Sequence, residues 1–172
     1  MIFVGIGANL PSPVHGPPLV TCSAAIGALG ARGVTVIRRS RWYSSAPVPP
    51  SEQPYFVNGV VQVETRLSAE ALLRCLHDIE RVFGRHRGER NDARVLDLDL
   101  LAYGSLTTGS GAAVEVPHPR MHERVFVLQP LAELVPWWRH PRLGQSITEL
   151  LTAVPPGQRV TAIEASPACE RG

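Results

Sequence analysis

Val95-Leu-Asp-Leu-Asp-Leu-Leu-Ala-Tyr103 alternates apolar and acidic residues through Leu100. A period of two predicts a strand with Leu96, Leu98 and Leu100 on one face and Asp97 and Asp99 together on the other. Upstream lies a polar, arginine-dense loop, Arg85 to Arg94, and before it a helix. Ser68 is its N-cap, Glu70 stands in its first turn, Leu72, Leu76, Ile79 and Phe83 keep helical spacing, and Gly84 ends it.

Closer to the N-terminus, Tyr55 to Thr65 reads as a strand, Ser44 to Pro54 as a proline-rich loop long enough to be functional, and Val34 to Tyr43 as a further strand. Leu19 to Leu29 is a small-residue helical segment closed by Gly30 and Gly33, and Ile2 to Gly7 is a buried opening strand. The resulting order, β-α-β-β-α-β, is that of a ferredoxin-like α+β sandwich, an antiparallel sheet with two helices on one face. A C-terminal extension follows. It holds the turn Pro117-His-Pro, an apolar stretch Val125 to Leu134 broken by Pro130, and a short helical segment Ser146 to Val154. The expected organisation is a single domain over residues 1–160 and a C-terminal tail over 161–172, with room for disorder.

The chain has 172 residues, 44% of them apolar, enough for one sizeable core. A formal charge of +2 is too mild to mark a general polyanion binder, so neither nucleic acid nor membrane is expected as a partner. All 17 basic residues are arginine. Schiff-base chemistry and a P-loop lysine are therefore excluded, while forked phosphate contacts are favoured. Cys22, Cys75 and Cys169 are odd in number and lack metal-ligand spacing, which predicts free thiols in a reducing compartment, the cytoplasm. No charged side chain precedes Arg32, but there is no basic n-region and Pro11, Pro13, Pro17 and Pro18 interrupt any apolar helix, so no export signal is expected. No later apolar run is long enough to span a bilayer.

Asp97 and Asp99 on one strand face would stand close enough to bridge hard cations such as Mg²⁺, which favours one or two carboxylates completed by water and phosphate oxygens. They would equally serve to keep a half-solvated face wet. Arg85, Arg87, Arg90 and Arg94 tilt the balance, because arginines beside a carboxylate-bound metal neutralise the charge of a triphosphate that the metal does not. The competing reading is a solvated ion-pair loop. His118 and Arg124 would reach the same phosphates from the extension. The turn Gly5-Ile-Gly-Ala-Asn lacks the third glycine and the later acidic residue of a dinucleotide fingerprint.

Several ordered motifs carry a family resemblance through about residue 155: Gly7-Ala-Asn-Leu, Gln53-Pro-Tyr-Phe-Val-Asn58, Ile79-Glu80 ahead of Gly84-Arg85, Arg94-Val-Leu-Asp-Leu-Asp-Leu-Leu, and Pro117-His-Pro followed by Arg124-Val-Phe-Val-Leu. Together they resemble the 6-hydroxymethyl-7,8-dihydropterin pyrophosphokinases. The resemblance implies a monomeric transferase moving diphosphate from ATP to the pterin hydroxyl, with AMP leaving, in folate synthesis. It implies that Asp97 and Asp99 hold two Mg²⁺ ions and that Arg85 and Arg94 join them in catalysis. It places ATP among Leu73, His77, Glu80, Arg85, Arg94, Leu100, His118 and Arg124. The pterin would lie between Phe56 and Phe126, hydrogen-bonded by Asn58 and by backbone groups of Ser45, Ala46, Pro47 and Val48.

The chain departs from the family pattern at Asn91-Asp92-Ala93, where an aromatic or small residue followed by glycine and proline is frequent, at Ala8 in place of serine, and at Phe56 in place of tyrosine. Two rival readings share the fold: a non-catalytic ligand-binding module, and a metal-dependent phosphodiesterase using the same carboxylates. An RNA-recognition domain is disfavoured, because Val95 to Tyr103 offers aspartates where bases would stack.

Overall fold

The computed structural model describes residues 1–84 and 93–164. The chain forms β1 (Ile2–Ala8), α1 (Pro18–Gly30), β2 (Thr35–Arg39), β3 (Tyr43–Ser45), β4 (Phe56–Glu64), α2 (Ala69–Val82), β5 (Asp97–Tyr103), a 3₁₀ turn (Met121–Glu123), α3 (Val125–Leu134), α4 (Ile147–Ala153) and β6 (Val160–Ala162). The sheet runs β5-β1-β4-β3-β6, with β2 on the remaining length of β4, and every pairing is antiparallel. This is the expected ferredoxin-like α+β arrangement. The extension adds a second layer, so both faces of the sheet are covered.

Helices α1 and α2 bury Cys22, Ala25, Leu29, Leu72, Leu76 and Ile79 against Val4, Ile6, Leu98 and Leu100 on one face. Each fully buried leucine or isoleucine of α2 contributes roughly 1.5–3 kcal/mol by leaving water. Ser68 caps α2 by accepting the Ala71 N–H at 3.2 Å, and Gly84 ends the helical region at φ +94°. On the other face α3 and α4 bury Leu131, Leu134 and Ile147 against Phe3, Val60, Leu101 and Ala102. Strict alternation in β5 fails at Leu101. A register shift opposite Phe3 and Val4 sends Leu101 and Ala102 to the same side.

Two expectations are corrected. Val34 to Tyr43 is not one strand: Ser40 to Trp42 separates β2 from β3. There the Ser40 hydroxyl accepts the Val60 N–H at 3.0 Å, and Trp42 covers Gly59 so closely that a Cβ at residue 59 would lie 2.7 Å from its ring. Pro130 does not break Val125 to Leu134, which is the continuous helix α3. Proline forfeits one helical hydrogen bond, but here Val127, Leu128, Leu131 and Leu134 are buried around it and hold the helix to the core. Residue 161 lies inside β6, which pairs with β3 through Val160, Thr161 and Ala162. Only residues 165–172 of the expected tail lie outside the described residues.

Candidate active site

Gly5 and Gly7 of β1 pair with Asp99 and Asp97 of β5 and, on the other side, with Val60 and Asn58 of β4. Because the two glycines carry no side chains, the sheet is hollow in front of the aspartates. A Cβ at residue 7 would come within 3.0 Å of Asn58 Oδ1. Above this floor is a cavity of about 710 Å³. One wall is the loop from Ser45 to Pro49 with Phe56 and Asn58; the other is His118, Arg120, Arg124 and Phe126. Gly5-Ile-Gly, which lacks the dinucleotide fingerprint, thus has a spatial role in this site.

Asp97 and Asp99 are half-buried and both line the cavity. The Arg94 guanidinium contacts the Asp97 carboxylate. Asp99 faces Arg124 Nη1 at 3.7 Å and His118 Nε2 at 4.0 Å. His118 Nδ1 accepts the Arg120 N–H at 3.1 Å, so its proton as a neutral ring is on Nε2, toward Asp99. Burial first, then the neighbouring cations Arg124 and Arg120, push His118 down to about 4, with Asp97 opposing. At neutral pH it is therefore an uncharged donor. Burial also lowers Arg124, opposed chiefly by Asp99.

Phe56, Phe126 and Pro47 line the same cavity as the acids. Asn58 is buried and its Nδ2 donates to Ser45 Oγ at 2.8 Å. Arg124 lies over the Phe126 ring, 5.5 Å from its centroid, which couples the charged and aromatic residues of the cavity.

Ser45, Ala46, Pro47, Val48, Phe56, Asn58, Arg94, Asp97, Asp99, His118, Arg124 and Phe126 all line this one cavity. Leu73, His77, Glu80 and Leu100 do not. Leu100 is buried in the α1–α2 core, Leu73 packs beside it, and His77 is exposed on α2. Glu80 is buried and accepts the Leu98 N–H at 2.7 Å. Arg85, with Arg87, Arg90, Asn91 and Asp92, lies outside the described residues.

Three features of the site escaped sequence reasoning. Asn9 is buried, and its Oδ1 accepts the Arg94 N–H at 2.7 Å while its Nδ2 donates to Gln53 Oε1 and Pro54 O, each at 3.2 Å. One side chain thus ties the approach to β5 to the proline-rich loop. Gly7-Ala-Asn-Leu held the signal without revealing the partners. Arg120 and the hollow made by Gly5 and Gly7 are the others.

Two carboxylates with hard oxygen donors suit Mg²⁺, and no cluster of three metal-binding side chains occurs among the described residues. Such a cation would take its remaining ligands from water and substrate oxygens, as Mg²⁺ commonly does.

Residues 3–136 match the family model described as 7,8-dihydro-6-hydroxymethylpterin-pyrophosphokinase. A Synechocystis protein named 2-amino-4-hydroxy-6-hydroxymethyldihydropteridine pyrophosphokinase is 42% identical over 152 residues, 88% of this chain and 74% of its own length. A Pseudomonas aeruginosa protein of the same name is 39% identical over 155 residues, 90% of this chain and 91% of its own. Among solved structures, a Plasmodium falciparum HPPK-DHPS triple mutant with SDX-DHP matches with a TM-score of 0.68 at 13% identity, which supports the fold. The match covers 88% of this chain and 43% of that one.

Proposed function

This chain belongs to the 7,8-dihydro-6-hydroxymethylpterin-pyrophosphokinase family, and from that premise we propose that the cavity over β1 and β5 is where its chemistry occurs. The enzyme transfers diphosphate from ATP to the hydroxyl of 6-hydroxymethyl-7,8-dihydropterin, releasing AMP, in folate biosynthesis. The observation that carries the assignment of the site is that an aspartate pair faced by Arg94 and Arg124 shares one cavity with Phe56, Asn58 and Phe126.

In this reading the pterin ring lies between Phe56 and Phe126, with Asn58 and the Ser45 to Val48 backbone on its polar edge, and its hydroxymethyl group points toward Asp97 and Asp99. The hydroxyl oxygen attacks the β-phosphorus and the bond to the bridging oxygen of AMP breaks. Such transfers ask the protein mainly for positioning and charge stabilisation. Arg94 and Arg124 supply fixed positive charge, and His118 offers an Nε2–H to a phosphate oxygen. Asp97 and Asp99 would hold Mg²⁺, two ions in our proposal. Bound there, the metal would supply Lewis-acid neutralisation of the phosphate oxygens.

The purine would extend past the open edge of β5 toward α2. Leu98 sends its N–H off that edge to Glu80, and the two-residue period gives Leu100 the same backbone direction. Leu100 would then serve through its main chain, with Leu73 and His77 nearby on α2. Arg85 completes the proposed phosphate clamp.

We further propose a monomer, consistent with the aspartates, arginines and phenylalanines of one chain lining the cavity together, and a single domain continuing through β6. A cytoplasmic setting fits the free thiols of Cys22 and Cys75. Among the described residues no helix is long and apolar enough to cross a membrane.

The deciding experiment incubates purified protein with ATP, Mg²⁺ and the reduced hydroxymethylpterin, with EDTA and no-pterin controls. Stoichiometric AMP and pterin diphosphate, both dependent on pterin and metal, are expected. AMP released equally without pterin would replace this reading with a phosphodiesterase.

A further inference from the structure

Among the described residues three arginines line the cavity, and two of them already have acidic partners: Arg94 contacts Asp97, and Arg124 faces Asp99 at 3.7 Å. Arg120, half-buried on the same wall, pairs with no carboxylate among the described residues. It is close enough to its neighbours to push both His118 and Arg124 toward their uncharged forms. A third guanidinium beside Arg124 adds positive charge to this wall, which a polyanionic ligand would offset.

A purely structural role does not account for the side chain. What Arg120 gives the fold is its main-chain N–H, which holds His118 Nδ1 at 3.1 Å, and any residue but proline would give that.

We infer that Arg120 is a further phosphate-binding residue of this site, its guanidinium engaging the polyphosphate of ATP opposite the Asp97–Asp99 floor. The assignment rests on the proposed function above. The three arginines then differ in role, since Arg94 and Arg124 are braced by protein carboxylates and Arg120 takes its counter-charge from the nucleotide. Arginine's forked donors match phosphate oxygens, whereas a lysine would bring only a point charge.

The test compares wild type, Arg120→Ala and Arg120→Lys by calorimetry. The ligands are Mg²⁺ with α,β-methylene ATP, whose non-hydrolysable link replaces the bond that breaks, and separately the hydroxymethylpterin. KM for ATP is measured in parallel. For Arg120→Ala we expect analogue affinity to fall by about tenfold or more and KM for ATP to rise to match, as for loss of a charge-assisted hydrogen bond. Pterin affinity should stay within about twofold. The lysine variant should recover part of the loss, and the alanine variant should show a shallower salt dependence of analogue binding.

Analogue affinity within about twofold of wild type in Arg120→Ala would overturn the assignment. So would equal losses for analogue and pterin, which would mark a general structural effect. Wild-type protein that binds the analogue but releases no pterin-dependent AMP would overturn the enzyme reading alone, and the variants' analogue affinities would still decide Arg120. Wild-type protein that does not bind the analogue would overturn both.

Discussion

Asp97 and Asp99 owe their shared orientation to strand geometry and their reachability to the glycines beside them. Substituting either by asparagine keeps the shape and removes the charge, leaving Arg94 or Arg124 without its counter-ion. We expect pterin-dependent AMP release to fall by about a hundredfold or more in either variant while the thermal unfolding midpoint changes little, because metal and phosphate neutralisation dominates this chemistry. Initial rates and a melting curve on the same sample check it. Unchanged rates would remove these residues from the proposed metal site.

Two histidines contribute to the acid response. His118 and His140 are both pushed down to about 4, in each case chiefly by burial. His140 Nδ1 accepts the N–H groups of Arg142 and Leu143. Its Nε2 is the one buried side-chain polar atom without a hydrogen-bond partner among the described residues. Protonation favours the unfolded chain, where these rings titrate near 6.5. Their contribution to stability is therefore fully present above pH 6.5 and is lost as pH falls from there toward 4. Denaturant midpoints measured at intervals between pH 7.5 and 4.5 should decline through that window. A flat profile would show that the two rings do not stay neutral in the folded protein.

Among the elements, Asn9 at the end of β1 matters more than its size suggests. It joins Arg94, ahead of β5, to Gln53 and Pro54, ahead of β4, so the approaches to the two strands meet through it. Asn9→Ala would leave buried donors and acceptors unmatched. A loss of about 2–4 kcal/mol is expected, from two or three hydrogen bonds at roughly 1 kcal/mol each and the cost of an unsatisfied group. KM values for both substrates should rise together, since both walls shift. Urea denaturation and steady-state kinetics give the two readings; a rise in one KM alone would argue against coupling.

At the scale of the whole molecule, residues beyond α4 close the structure. β6 pairs with β3, and the Ile163 N–H donates to Trp42 O at 2.8 Å. Gln158 holds the start of α3, its Oε1 accepting the Val125 N–H at 3.1 Å and its Nε2 donating to Glu123 O at 2.7 Å. Truncation after Gly157 should thus destabilise the protein by more than about 1 kcal/mol. At this chain length that lowers the melting midpoint by at least about 2–4 °C. Calorimetry of full-length and truncated protein decides it, and equal midpoints would mean the closing strand is dispensable.

The sequence by itself determined the periodic elements and the chemical inventory. Local signals set these: the two-residue alternation that puts Asp97 beside Asp99, the Ser68 cap and the 3.6-residue pattern of α2, and the motifs that named the cavity's aromatic and cationic residues. What it left undetermined depends on contacts between residues far apart in the chain. Trp42 against Gly59 splits a strand that reads as one, and burial on the sheet carries α3 through Pro130. A three-residue strand has too little local preference to announce itself and exists because β3 offers it an edge. The same holds for Asn9 and Arg120, whose residue types are visible in the chain but whose partners, or lack of an acidic one among the described residues, are fixed only when the sheet and its second helical layer bring the loops together.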